Sequence, residues 1–203
     1  QLEKLMGIKK EGVTLRIPKK VVGVKELWQE IITDFVAACQ DKEVQTIVID
    51  SATQLWNNCH RSYLQELQEK QMAQGLQEKD WRSQLLSIEY GEPNDRMKSV
   101  IFTARSFGKS LILTHYPKDV YATRLTEKGT EDYRTGQEDI DGFKQTKALV
   151  DLVVRTSTET IGNQIQVKGK ITLSGLDLSL TGMELIDPTW GMLEKMIKGV
   201  RGG

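Results

Sequence analysis

Little in this chain could staple a fold or cross a membrane. Only two cysteines occur in 203 residues, Cys39 and Cys59. Neither they nor the two histidines, His60 and His115, stand at a zinc-ligand spacing. A disulfide scaffold and a zinc module are thereby excluded, and two thiols in a reducing cytosol fit better. No apolar run reaches the roughly 18 residues a membrane helix needs, so no membrane partner is expected. No signal-peptide pattern is present either. Charge of one sign is also missing, because 28 Lys and Arg balance 28 Asp and Glu. Neutrality gives no whole-chain argument for a nucleic-acid or lipid partner, so any basic surface must be local. The first residue is Gln1 rather than Met, and the true start is expected upstream.

What the chain does hold is periodic. Val24, Leu27, Trp28, Ile31, Ile32, Phe35 and Val36 recur at helical spacing and predict an amphipathic helix over about residues 24–40. Thr46 to Ile49 and Leu111 to Leu113 are aliphatic, β-branched runs that end abruptly in polar residues. Such runs read as buried parallel strands. Val13 to Ile17 reads as a further strand closed by Pro18. Residues 57–79, rich in Gln, Glu and Lys, read as a polar helical arm with a break near Gly75. Pro93 suits the start of another helix, which Gly108 is placed to end. Residues 116–142 show no clean period and read as a long mobile loop. Val150 to Arg155 and Ile165 to Leu173 read as strand or hairpin arms. Asp187-Pro188 reads as the cap and first residue of a last helix ending near Gly199. The order predicts one α/β domain over residues 1–203 with a mostly parallel central sheet.

Ligands of open α/β sheets bind past the carboxyl ends of the strands. Asp50-Ser51 follows one run and Thr114-His115 the other. An apolar strand ending in Asp is the Walker B pattern, whose carboxylate holds the water shell of Mg²⁺ beside nucleotide phosphates. The plainer reading of Asp50 is a helix cap, and of His115 an ordinary hydrogen-bonded histidine. Gly108-Lys109-Ser110 imitates the end of a phosphate-binding loop, but Thr103 stands where GxxxxGK(S/T) needs its first glycine. The tripeptide also leaves a helix and enters a strand, the reverse of the required order. Asp139-Ile140-Asp141-Gly142 lacks the remaining ligands of a calcium loop and reads as an acidic turn.

Thr46 to Trp56, TIVIDSATQLW, resembles the Walker B region of RecA-like phage P-loop ATPases, of the AAA-type nucleotide-binding or single-strand-annealing kind. The similarity continues through Tyr90-Gly91, Pro93-Asn94, Leu111 to Lys118 (LILTHYPK), Asp141 to Lys144, Val150 to Val153 and Leu185 to Thr189. It covers most of residues 13–198. The resemblance implies a three-layer αβα fold of RecA type and a Walker A portion lying before residue 1.

It also implies roles. Asp50 and Ser51 would hold Mg²⁺ and, with His115, ATP. Thr114 and His115 would sense phosphate or position water. Lys168 and Lys170, alternate residues of one strand face, would reach a neighbouring subunit's γ-phosphate in a homo-oligomer, or form a solvated strand face. The segment 116–142 would meet single-stranded DNA through Lys118, Tyr121, Arg124, Lys128 and Arg134, cations interleaved with aromatics. Its more numerous acidic residues equally suit a disordered polar loop. The implied activity is ATP hydrolysis in phage DNA recombination or replication, in the cytoplasm of a bacterial host. The alternative is a non-catalytic RecA-like scaffold that binds DNA or a recombination partner.

Overall fold

The computed structural model describes residues 12–18, 23–126 and 129–201. The chain divides into two compact units, one ending at Phe143 and one beginning at Lys144.

In the first unit, helix α1 (Val24–Gln40) buries Trp28, Phe35 and Cys39. This is the apolar stripe that its periodicity requires. Strand β1 (Thr46–Ile49) leads to helix α2 (Ala52–Ala73), whose N-cap is Ser51; its hydroxyl accepts the Gln54 N–H at 3.4 Å. The helix stops at Ala73, and Gly75 takes a φ of 85°, a left-handed conformation that glycine adopts without a side-chain clash. The Gln- and Glu-rich stretch of α2 is helical and carries ion pairs to its neighbours. Glu66 makes a two-pronged ion pair with Arg96, and Glu69 pairs with Lys25. Helix α3 (Gly91–Ser106) buries Met97, Val100, Ile101 and Ala104. The chain turns out of it at Gly108, whose φ is 66°, and Lys109 ties its ammonium to the carbonyls of Asp41 and Val44 at 2.6 Å each. Lys109 is therefore a structural clamp on the α1–β1 turn. Cys59 is fully buried, and burial pushes its thiol up to about 12, which leaves it inert.

Strand β2 (Ser110–Leu113) pairs in parallel with β1, Thr46 opposite Ser110 and Ile49 opposite Leu113. Beyond it, β3 (Tyr116–Thr126) and β4 (Gly129–Asp141) form an antiparallel ribbon. In the second unit, a short helix α4 (Thr146–Leu149) precedes β5 (Leu152–Ile161), β6 (Gln164–Ser174) and β7 (Glu184–Ile186), which form an antiparallel sheet in the order β5-β6-β7. Ile171 and Leu185 are buried there. Helix α5 (Trp190–Arg201) is last.

This corrects the expected mostly parallel three-layer αβα sheet: among the described residues only β1 and β2 pair in parallel, and the other five strands are antiparallel. The parallel reading extrapolated from two apolar runs. Strands β5 and β6 are joined by a tight turn at Gly162-Asn163, between Ile161 and Gln164, and a two-residue connection can join only antiparallel neighbours. The expected loop over 116–142 is the β3–β4 ribbon. Most of its side chains are exposed on both faces, Tyr121 and Leu125 included, so it shows no apolar alternation. Val13 to Ile17 forms no strand. Asp187 does not cap α5. It bonds to Val167 through its N–H and its carboxylate, and Thr189 accepts the Met192 N–H instead.

Candidate functional site

The parallel pairing sets the site. Because Ile49 stands opposite Leu113, the next residues, Asp50 and Thr114, leave the sheet side by side. The Thr114 hydroxyl donates to Asp50 Oδ1 at 2.5 Å, and the Thr114 N–H donates to the Ile49 carbonyl at 3.2 Å. The Thr114 carbonyl in turn accepts the Ala52 N–H at 2.7 Å, which anchors the first turn of α2. Asp50 is exposed, and its second oxygen has no partner among the described residues. The Asp50–Ser51 peptide is cis.

Four residues behind this pair are not among the expected site residues. Thr53, only 2% exposed, donates its hydroxyl to the Asp141 carbonyl at 2.5 Å and accepts the Tyr116 N–H at 3.1 Å. The Asp141 carbonyl also stands 3.2 Å from His115 Nδ1. A carbonyl can only accept, so Nδ1 carries the proton in the neutral ring. Gly142 passes so close that a Cβ there would lie 3.1 Å from His115 Nδ1, and its φ is 143°. Phe143, 1% exposed, seals the corner against Trp56 with ring centroids 5.7 Å apart. The sequence signals for these residues are the Asp139-Ile140-Asp141-Gly142 turn and the Asp141-Gly142-Phe143 segment within the family resemblance.

His115 is half-buried, and burial pushes its pKa below the ordinary value, with the Asp141 carbonyl and charge opposing. Its Nε2 is buried without a hydrogen-bond partner. A neutral imidazole protonated at Nδ1 presents a bare lone pair at Nε2. It suits a donor, such as water or a hydroxyl, and not an unprotonated phosphate oxygen.

The remaining expected site residues are placed as follows. Ser51 is buried and caps α2. On the ribbon, Arg124 pairs with Glu131 at 3.1 Å and lies over the Tyr133 ring, while Arg134 pairs with Asp119. Lys118 stands opposite Asp139, and Tyr121 is exposed. Lys128 lies outside the described residues. The sequence of residues 116–142 holds seven carboxylates and four cations. Lys168 and Lys170 lie in the second unit, on one face of β6, and pair with Glu159 and Glu184 of their own sheet. A shallow groove of about 200 Å³ between α1 and α3, lined by Trp28, Phe35 and Val100 among others, holds none of the expected site residues.

Among the described residues no group of three or more His, Cys, Asp or Glu could hold a metal ion. Asp50 alone still fits Mg²⁺, which is commonly bound through one or two carboxylates, waters and substrate phosphates. No helix among them is long and apolar enough to cross a membrane. No family model, curated protein or solved structure matches the chain.

Proposed function

We propose that the chain is part of an ATP-binding and ATP-hydrolysing P-loop protein acting in phage DNA recombination or replication, in the cytoplasm of the bacterial host. The observation that carries this reading is the Asp50–Thr114 hydrogen bond at the carboxyl ends of paired parallel strands. It leaves the second carboxylate oxygen of the exposed Asp50 without a partner among the described residues. Mg²⁺ bound with ATP would neutralise phosphate charge. Asp50 would orient the ion's water shell, and Thr114 would hold Asp50 in one rotamer. The His115 lone pair supports the water-positioning role rather than phosphate sensing. Lys168 and Lys170 would have to leave Glu159 and Glu184 to act on a neighbouring subunit, and Arg124 and Arg134 would have to leave Glu131 and Asp119 to grip single-stranded DNA.

The second reading, a non-catalytic scaffold that binds DNA or a recombination partner, is favoured by the pairing of Lys168 and Lys170 with Glu159 and Glu184 of their own sheet. Nucleotide binding separates the two. Calorimetry of the protein expressed from its whole reading frame, with a non-hydrolysable ATP analogue and Mg²⁺, should show binding that weakens in Asp50→Asn. Binding of equal strength with and without Mg²⁺, or none, would favour the scaffold.

A further inference from the structure

The sheet of the second unit protects one edge and leaves the other open. Strand β7 forms the first edge; it is three residues long and runs into Asp187-Pro188. Strand β5 forms the second, with ten residues and neither Pro nor Lys among them. All of its residues from Arg155 to Ile161 are exposed. Among the described residues no strand pairs with its outer side. Proteins usually blunt such an edge by short length, Pro or Lys, because a long exposed edge is a template for another strand.

The ladder fixes which backbone groups face outward. The Val167 carbonyl accepts the Asp187 N–H at 2.7 Å, and the Val167 N–H donates to Asp187 Oδ1 at 3.0 Å. Val167 therefore turns its backbone away from β5, and its β5 neighbour Thr158 turns its own N–H and carbonyl to the open edge. The alternation of an antiparallel pair makes Thr156 and Thr160 do the same. Ile171 bonds to Met183 and Gly182 on the far side, so its β5 neighbour Val154 also faces outward. These outward groups have no backbone partner among the described residues.

We propose that β5 is a dimer interface, pairing antiparallel with β5 of a second copy about a two-fold axis at Ser157. The strand's own sequence selects both partner and register. An axis at Ser157 sets Arg155 opposite Glu159, Thr156 opposite Thr158 and Val154 opposite Thr160. Each pair recurs across the axis, because a two-fold interface is self-complementary. The outward N–H and carbonyl groups of Val154, Thr156, Thr158 and Thr160 then meet one another. Opposite charges and threonine pairs stabilise cross-strand neighbours, and like charges oppose them. Moving the axis to Thr156 or Thr158 sets Arg155 against Ser157 or Ile161 and loses the charge match. Glu159 also holds Lys168 of its own sheet, so in the dimer it lies between two cations. This pairing is independent of the ATPase reading, because β5 carries none of the residues assigned there.

Sedimentation velocity over a concentration series, on the protein expressed from its whole reading frame, tests the pairing. Thr158→Pro removes an outward N–H and no bond of the β5–β6 ladder, as edge strands tolerate. It should raise the dimer dissociation constant about tenfold or more, because the two-fold removes the bond twice. A cross-linking scan reads the register. The two copies of Ser157 face each other as a non-hydrogen-bonded pair, with Cα atoms about 4.5 Å apart, within disulfide reach. Ser157→Cys, oxidised with glutathione disulfide, should therefore cross-link at least about tenfold faster than Thr156→Cys or Thr160→Cys. Cys39 and Cys59 are buried and do not compete. Thermal melts confirm that the variants fold. A native protein that stays monomeric, an assembly that Thr158→Pro leaves intact, or cross-linking as fast at Thr160→Cys as at Ser157→Cys overturns the proposal. Asp50→Asn, which tests the ATPase reading, should leave the dimer intact, so the two ideas fail separately.

Discussion

The Thr114 hydroxyl donates to Asp50 Oδ1 at 2.5 Å across the ends of two strands that lie 64 residues apart in sequence. One strand supplies the carboxylate and the other its orientation. Neither side chain is buried, so the bond does little for the core. Its consequence is a fixed direction for the free oxygen of Asp50.

Thr114→Val keeps the shape of the side chain and removes the hydroxyl. It should lower Mg²⁺-dependent ATP turnover by about 10- to 100-fold, the usual effect of removing a group that orients a ligand residue. The melting temperature should barely move, because the position is exposed. A large loss of stability with unchanged turnover would assign Thr114 to the fold alone.

Thr53 joins α2, β3 and the end of β4 through one hydroxyl. Thr53→Val strands the Tyr116 N–H and leaves the Asp141 carbonyl only its His115 donor, and should cost about 1–3 kcal/mol in urea unfolding. Gly142→Ala forces a Cβ against His115 at a left-handed φ and should cost a similar amount, about 1–3 kcal/mol. Variants as stable as the native protein would show that this corner is not held as described.

Both histidines have pKa values below the ordinary 6.5, burial being the largest cause in each. Below 6.5 the unfolded chain therefore binds more protons than the folded one. Stability should fall as pH drops through 6.5 and level off beneath the lowered folded values. Glu69 and Glu89, held below 4.5 by their hydrogen bonds, act in a lower window. Urea midpoints across the first window should decline in the native protein, and less in His60→Gln and His115→Gln. A flat native profile there contradicts the burial of the two rings.

The sequence made legible whatever rests on apolar periodicity or on local turn chemistry. Helix α1 spans Val24–Gln40, as its spacing predicts, and Gly75 and Gly108 punctuate chain reversals. Asp50 and Thr114 stand together because two aliphatic runs pair in parallel. The ribbon was not legible, since a strand pair solvated on both faces has no hydrophobic alternation. The Thr53–Asp141–His115 junction was hidden for another reason. It depends on a backbone carbonyl, and no side-chain pattern reports where a carbonyl points.

On the ribbon, Arg124 and Arg134 are each held by a carboxylate. If the ribbon meets single-stranded DNA, Glu131→Gln with Asp119→Asn should tighten binding and steepen its salt dependence, by up to about 0.7 in log–log slope per released cation. Fluorescence anisotropy over a salt series reads both. Unchanged affinity and slope would remove these two arginines from any DNA contact.

The most direct measurement is the Mg²⁺-dependent ATP turnover of the protein expressed from its whole reading frame, native against Asp50→Asn, with thermal melts of both. The substitution preserves shape and can still accept from Thr114, but it removes the charge. The account predicts turnover lower by about 100-fold or more, as expected when an electrostatic group is taken from a phosphoryl-transfer site, with the melting temperature unchanged. Equal turnover in a folded Asp50→Asn protein would contradict it.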